Sequence, residues 1–411
     1  MTQASLERAP TEDGRIFHYQ RLVEGFAWIF VACSAISLIE PSPFDLAAPI
    51  MLGLWFLGGF TVHRSFLLFA GLMLFYTLAG FVALMPYWHD SEASVYQGLS
   101  AYLAVVSMFF ALFVGNRTES RCEVILAAFT AGALVAAICG LLGYFQIADL
   151  GELFTRNDRA KGPFKDPNVF GSYLIVGVLY LSQNLMFKRT RHVALSLIVL
   201  AVILAGNFLS FSRGSWGALA LSMSLMAGFA YATTQDARLK ARIVFVTCAA
   251  VALAVLLLMA MMTSEYTRDF FLMRASATQE YDEGATGRFG NQLRAIPMLL
   301  DEFWGFGPTR FRVVFGIDAH NSYVTAFAND GWIGGLLFVF IVGMTVTVGL
   351  RIMRRPSPYQ RQAQIFAPVV IAYFAQGFQI DIDHWRHLLV ILGVVWGLEA
   401  ARQKWESREA G

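Results

Sequence analysis

Arg213 lies in Ser210-Phe211-Ser212-Arg213-Gly214-Ser215-Trp216, a turn of a few residues between two apolar runs. An unpaired guanidinium at the rim of a hydrophobic bundle is costly, and its planar fork of donors suits phosphate or diphosphate oxygens. A lipid-headgroup anchor or an ion pair with a loop carboxylate would account for it equally well. Arg288 follows Asp282-Glu283-Gly284-Ala285-Thr286-Gly287, a turn that would present it at a helix start. In a long loop, a structural role is the simpler reading. Arg156, Arg159, Lys161 and Lys165 cluster beside Asp166-Pro167-Asn168, where Asp166 can cap a helix and Pro167 occupy its first position. A helix N-terminus behind a basic loop favours a phosphate, and anionic lipid would meet the same charges.

His320, with Asn321 beside it, is the only histidine between 263 and 322 and stands just before an apolar run. A neutral imidazole can take the proton of an attacking hydroxyl, an effect of roughly 10²–10⁴ in rate. A histidine hydrogen-bonded at a helix start is the competing reading, and spacing alone favours it. Asp381-Ile382-Asp383-His384 offers two carboxylates and one imidazole, too few ligands for a metal. An ion pair of Asp381 or Asp383 with Arg386 or Arg213 is expected instead. The chain carries no Walker loop, dinucleotide fingerprint or zinc motif, so ATP-driven or redox chemistry has no support. Neither a metal nor another cofactor is expected.

The elements that must hold these residues are membrane helices. Hydrophobic residues make up 57% of the chain and charged residues 15%, with a mean hydropathy of +0.55; a soluble domain carries about 25% charged residues. Apolar stretches fall at 22–39, 44–61, 65–85, 95–115, 122–145, 168–187, 192–210, 215–233, 242–262, 323–350, 363–380 and 387–401. They predict an all-α, polytopic transmembrane bundle of about 12 spans, the run after Tyr323 being open to a break near Gly331. Residues 1–21 and 403–411 read as tails, 22–402 as the membrane domain, and 263–322 as a long outer loop between spans 9 and 10. Within that loop Leu293, Ile296, Leu300 and Phe303 recur at helical spacing, the pattern of a short amphipathic helix at the interface.

Most of the 31 lysines and arginines flank alternate spans, among them Arg64, Arg117, Lys188, Arg238, Arg351 and Lys404, which predicts that both termini are cytoplasmic. No cleavable signal is expected ahead of the first span, since the leading segment is polar and carries Arg8, Arg15 and Arg21. Cys33, Cys122, Cys139 and Cys248 lie in or beside apolar runs and read as packing residues. The charges that break the basic-inside pattern are those of the four outer loops, and the candidate residues named above are in them.

Taken together, these segments resemble the O-antigen ligase and O-antigen polymerase family of bacterial inner-membrane glycosyltransferases. The resemblance runs from about Lys161 to Arg386. It rests on Gly162-Pro163-Phe164 with Asp166-Pro167-Asn168 and Gly171; Ser210-Phe211-Ser212-Arg213-Gly214; Gly287-Arg288; Gly305-Phe306-Gly307-Pro308; His320-Asn321-Ser322-Tyr323; and Asp383 to Arg386. It implies a periplasmic active site that moves a glycan from an undecaprenyl-diphosphate carrier to an acceptor hydroxyl, inverting the anomeric centre without metal or nucleotide. Arg213 and Arg288 would hold the diphosphate, and His320 would orient or deprotonate the acceptor. Arg159, Lys161, Lys165, Asn168, Asn321 and Arg386 would bind substrate, with Arg310 or Arg312 as substitutes for Arg213. The partners implied are the lipid-linked glycan, a lipid A-core or glycan acceptor, and membrane lipids, with no nucleic acid.

The spacing from His320-Asn321 to Gly331 and Gly334 fits the ligase pattern, and an exopolysaccharide or O-antigen polymerase is the alternative. A transporter or flippase would place charges mid-span, where this chain has almost none. A non-catalytic scaffold for polysaccharide export would tolerate loss of His320.

Overall fold

Short polar side chains start the helices, satisfying backbone N–H groups that have no partner in the first turn. Asp90 accepts from the N–H of Glu92 and Ala93, Asp166 from Asn168, Ser212 from Ser215, Asp236 from Arg238, and Asn321 from Tyr323 and Val324. The computed structural model describes residues 11–58, 62–275, 284 and 287–409. In chain order the helices are α1 Thr11–Cys33, α2 Pro43–Gly58, α3 Arg64–Leu84, α4 Ser91–Val114, α5 Thr118–Tyr144, α6 Gly151–Phe154, α7 Pro167–Tyr173, α8 Ile175–Met186 and α9 Val193–Leu209. They continue as α10 Arg213–Thr233, α11 Ala237–Met261, α12 Glu265–Ala275, α13 Arg288–Asp301, α14 Phe311–Phe315, α15 Ser322–Arg354, α16 Gln360–Gln376 and α17 Arg386–Glu409. A two-stranded hairpin, β1 Thr155–Arg156 and β2 Arg159–Ala160, pairs Thr155 with Ala160.

The fold is all-helical apart from that hairpin. Each apolar stretch coincides with a helix, or at 168–187 with the consecutive α7 and α8. Among the described residues seven helical segments are long and apolar enough to cross a membrane: α3, α4, α5, α7 with α8, α10, α11 and α15. Two more, α2 and α9, are apolar but shorter. The outer surface is greasy as well: Phe56, Leu57, Val95 and Phe245 are each at least 71% exposed. Water would penalise that surface and hydrocarbon would not. This is the make-up of a helical membrane protein.

At the centre, α17 packs on α4, α16 and α15, while α16 packs on α10 and α15. Phe366, Val369, Val370, Val390, Ile391, Val394 and Val395 are all fully buried. The basic turns meet at one end of the bundle, where Glu123 pairs with both Arg189 and Arg361, and Arg117 pairs with Glu24.

The stretch 263–322 is largely helical where it is described. The helix α13 carries the amphipathic pattern, with Leu293, Ile296 and Leu300 turned outward, though Phe303 lies beyond its end. Its inner face joins Ala295 and Leu299 to Phe306, Phe311, Ala319 and Ala328 in a small separate core. The turn expected at Asp282–Gly287 falls mostly outside the described residues, and the helices that apolar patterning did not indicate are α12 and the two short ones, α6 and α14.

The break expected near Gly331 is present: that residue has φ 67° and ψ −170° inside α15. The opened turn is filled by Gly305-Phe306-Gly307. Phe306 and Gly307 N–H donate to Ala328 O at 2.7 and 3.0 Å, and Trp332 N–H donates to Phe303 O at 2.9 Å. Both backbones need glycine here. A Cβ on Gly305 would lie 2.6 Å from Ala328 O, and one on Gly331 would lie 2.8 Å from Phe303 O, both residues having positive φ. Gly305→Ala and Gly331→Ala are each expected to cost about 2–4 kcal/mol, read as a lower thermal midpoint of the purified protein. Gly217→Ala, whose Cβ would meet nothing within 4 Å inside α10, should leave the midpoint level or raise it slightly.

Candidate functional site

Four short connections, the end of α12 and the N-terminus of α13 converge on one cleft of about 430 Å³. The hairpin and the start of α7 bring Arg159 and Asn168, the turn into α10 brings Arg213, and α12 and α13 bring Arg274 and Arg288. His320 comes from the entry to α15, and Gln376 and Gln379 from the exit of α16. All four arginines are half-buried.

The arginine positions follow from local chemistry. Arg159 is locked by donating from Nε to Ser210 O (2.7 Å) and from Nη2 to Asn168 Oδ1 (2.7 Å). Asp166 caps α7 with Pro167 in the first position, which points the N-terminus of α7 at the cleft. Arg213 is the first residue of α10, directly after the Ser212 cap. Arg288 opens α13 and donates from Nη1 to Gln379 O at 3.1 Å. Four guanidinium groups and three helix starts, against the single carboxylate of Asp166, make a cationic pocket suited to phosphate.

His320 sits on the same wall in a left-handed conformation, φ 48°, unusual for a residue with a Cβ. The surroundings over-determine it. Asp381 accepts from His320 N–H (Oδ2, 3.0 Å), Asn321 N–H (Oδ1, 3.2 Å) and Thr325 Oγ1 (Oδ1, 2.6 Å). Gln292 Nε2 donates to Ala319 O at 2.7 Å from the other side. His320 Nδ1 lies 3.7 Å from Asp381 Oδ2, too far for a hydrogen bond, so the carboxylate fixes the backbone here and not the ring. Backbone strain enforced at a cleft-facing histidine is the kind found where a side chain must be aimed.

Burial, reinforced by the Asp383 carboxylate, raises the Asp381 carboxyl to about 7, while the hydrogen bonds from Thr325 and His320 pull the other way. Between its ordinary 3.8 and about 7 the folded chain holds a proton that the unfolded chain has released. This group's contribution to stability is therefore full below that window and falls as pH rises through it. Unfolding followed from about pH 4 to about pH 8 should show the decline, and Asp381→Asn, which cannot titrate, should lessen it.

Four of the residues singled out in the sequence lie outside the cleft. Lys165 pairs with Glu40 at 2.7 Å on the surface. Lys161 sits nearby, its amine pushed down by burial and by Arg156. Asn321 caps α15 with its side chain and donates to Gln292 Oε1 at 3.4 Å. Arg386 corrects an expectation: it forms a two-point pair with Asp45 of α2, at 2.8 and 2.7 Å, and not with Asp381 or Asp383. Asp383 instead accepts from the Tyr96 hydroxyl, and His384 Nε2 lies 2.8 Å from Ser100 Oγ. Arg310 and Arg312 face Asp90 and Glu92, away from the arginines of the cleft.

Sequence reasoning missed Arg274. Its only signal was a helix-forming stretch with a basic last turn after an apolar run. Among the described residues no group of three or more histidine, cysteine or carboxylate side chains could hold a metal ion. No protein-family model matches the chain, and a search of curated proteins finds no significant match.

Proposed function

We propose that the chain is a bacterial inner-membrane glycosyltransferase of the O-antigen ligase and polymerase kind, moving a glycan from undecaprenyl diphosphate to lipid A-core. One observation carries the reading. Arg159, Arg213, Arg274, Arg288 and His320, drawn from separate segments between residues 159 and 320, line a single cleft at the end of the bundle away from the basic turns. In this reading the chain crosses the membrane about twelve times, both termini are cytoplasmic, and the cleft opens to the periplasm.

The acceptor hydroxyl oxygen attacks the anomeric carbon from the face opposite the diphosphate. The bond from that carbon to the phosphate oxygen breaks, and its electron pair leaves with undecaprenyl diphosphate. The hydroxyl proton passes to the His320 imidazole, and the arginines hold the charge developing on the leaving group. The anomeric centre inverts. The sugar–phosphate bond supplies the free energy, and the polyprenyl tail stays among the apolar helices.

The test is a lipopolysaccharide gel of a host lacking the gene, with secreted polysaccharide assayed alongside. Bare lipid A-core, with glycan accumulating on its carrier and rescue by the gene, is the expected result. Core bearing a single repeat, or normal lipopolysaccharide with polysaccharide lost, would make the same site a polymerase. Unchanged lipopolysaccharide and polysaccharide would reject both.

A further inference from the structure

At the opposite end of α9 from Ser210–Arg213, a groove of about 1080 Å³ runs between α11 and the pair α8 and α9. Its walls are apolar along their length, built by Leu197, Leu200, Phe245, Val246, Ala249 and Leu253. Its mouth is basic, lined by Lys188, Arg238 and Arg242. Arg242 is fixed there by donating from Nε to Leu185 O at 3.0 Å. The one carboxylate at the mouth, Asp236, is engaged by the helix start it caps, accepting from Arg238 N–H at 2.9 Å. Its charge is thereby partly spent on the positive end of α11, and the three cations dominate.

The groove exists because α11 packs loosely. Ile243 is its only buried residue, so the cavity wall is left for something other than this chain's described residues to cover. From Arg238 to Leu253 a helix rises roughly 22 Å, against a hydrocarbon core of roughly 30 Å. A groove of that reach starts at headgroup level and passes the bilayer midplane, deep enough for the acyl chains of one leaflet. An apolar slot with three bases at its mouth is complementary to a phosphate-headed lipid. A zwitterionic headgroup would bring its own ammonium to the same three cations.

We propose that this groove is a binding site for an anionic glycerophospholipid, its phosphate on Lys188, Arg238 and Arg242 and its acyl chains between α9 and α11. Nothing in it depends on the chemistry of the arginine cleft.

The experiment is native mass spectrometry of the purified full chain with equimolar phosphatidylglycerol and phosphatidylcholine. Phosphatidylglycerol adducts should exceed phosphatidylcholine adducts by on the order of tenfold or more. The double variant Lys188→Gln/Arg238→Gln removes two exposed charges and should lose that preference, by roughly thirtyfold in phosphatidylglycerol affinity. Ala249→Phe fills the slot and should lower retention of both lipids, with an unchanged thermal midpoint showing that each variant is folded. Equal retention of the two lipids by the wild type, an intact preference in the double variant, or full retention in Ala249→Phe would each overturn the assignment. Displacement of phosphatidylglycerol by an equimolar polyprenyl phosphate would overturn it too, in favour of a carrier-lipid site.

Discussion

Replacing His320 with alanine is expected to cut glycan transfer by roughly 10²–10⁴-fold, the contribution of a positioned general base, while the protein stays folded in the membrane. The structure separates the two effects. The contacts that fix this segment run mainly through backbone: His320 and Asn321 N–H donate to Asp381, and Ala319 O accepts from Gln292. Alanine keeps all of them. The left-handed φ of 48° burdens any residue with a Cβ, so histidine and alanine bear the same strain. Transfer assayed in membranes, with the thermal midpoint of the purified variant measured beside it, is the check. Full activity in a folded His320→Ala variant would remove the imidazole from the mechanism and leave a site that acts by binding alone.

Arg213→Ala should lower transfer by roughly 10²–10³-fold, the loss seen when one preorganised donor to a developing anion is removed. Arg213→Lys should recover little of it, because an ammonium cannot present the planar two-point fork. The position makes this a discriminating test. Arg213 opens α10, and a cation in the first turn opposes the helix dipole by about 0.3–1 kcal/mol. Alanine relieves that cost, so activity should fall by far more than any loss of thermal midpoint accounts for. A drop in both together would mean that Arg213 serves the fold, and that Arg159, Arg274 and Arg288 hold the anion.

The helices were largely legible in advance because their signals are local. Apolar runs and the Asp166-Pro167 helix start act within a few residues of themselves. The break at Gly331 was legible for the same reason: a glycine beside an aspartate interrupts an apolar run wherever it occurs. The helix α12 was missed because a short, mixed-polarity helix has no strong period, and Arg274 was missed with it.

Which cations share a pocket is another kind of question. Arg159, Lys161 and Lys165 look alike as a string, yet the first reaches Ser210 and the last reaches Glu40. Their directions depend on a hairpin whose register is set by its packing against α5, α7 and α9. Arg386 seemed bound to its neighbours Asp381 and Asp383 but pairs with Asp45, far away in the chain, because α2 and α17 both pack on α4. Apolar burial is non-directional and encodes no partner for a charge.

By itself, then, the sequence determined an all-helical chain, the apolar stretches that become its helices, the Asp166 cap of α7, and the short connections that carry the unusual charges. Only the tertiary structure decided that Arg159, Arg213, Arg274, Arg288 and His320 face one cleft, and that Asp381 clamps the backbone of the histidine. Helix formation and capping are settled within a few residues. Convergence of side chains from separate connections is settled by helix packing, which no local spacing records.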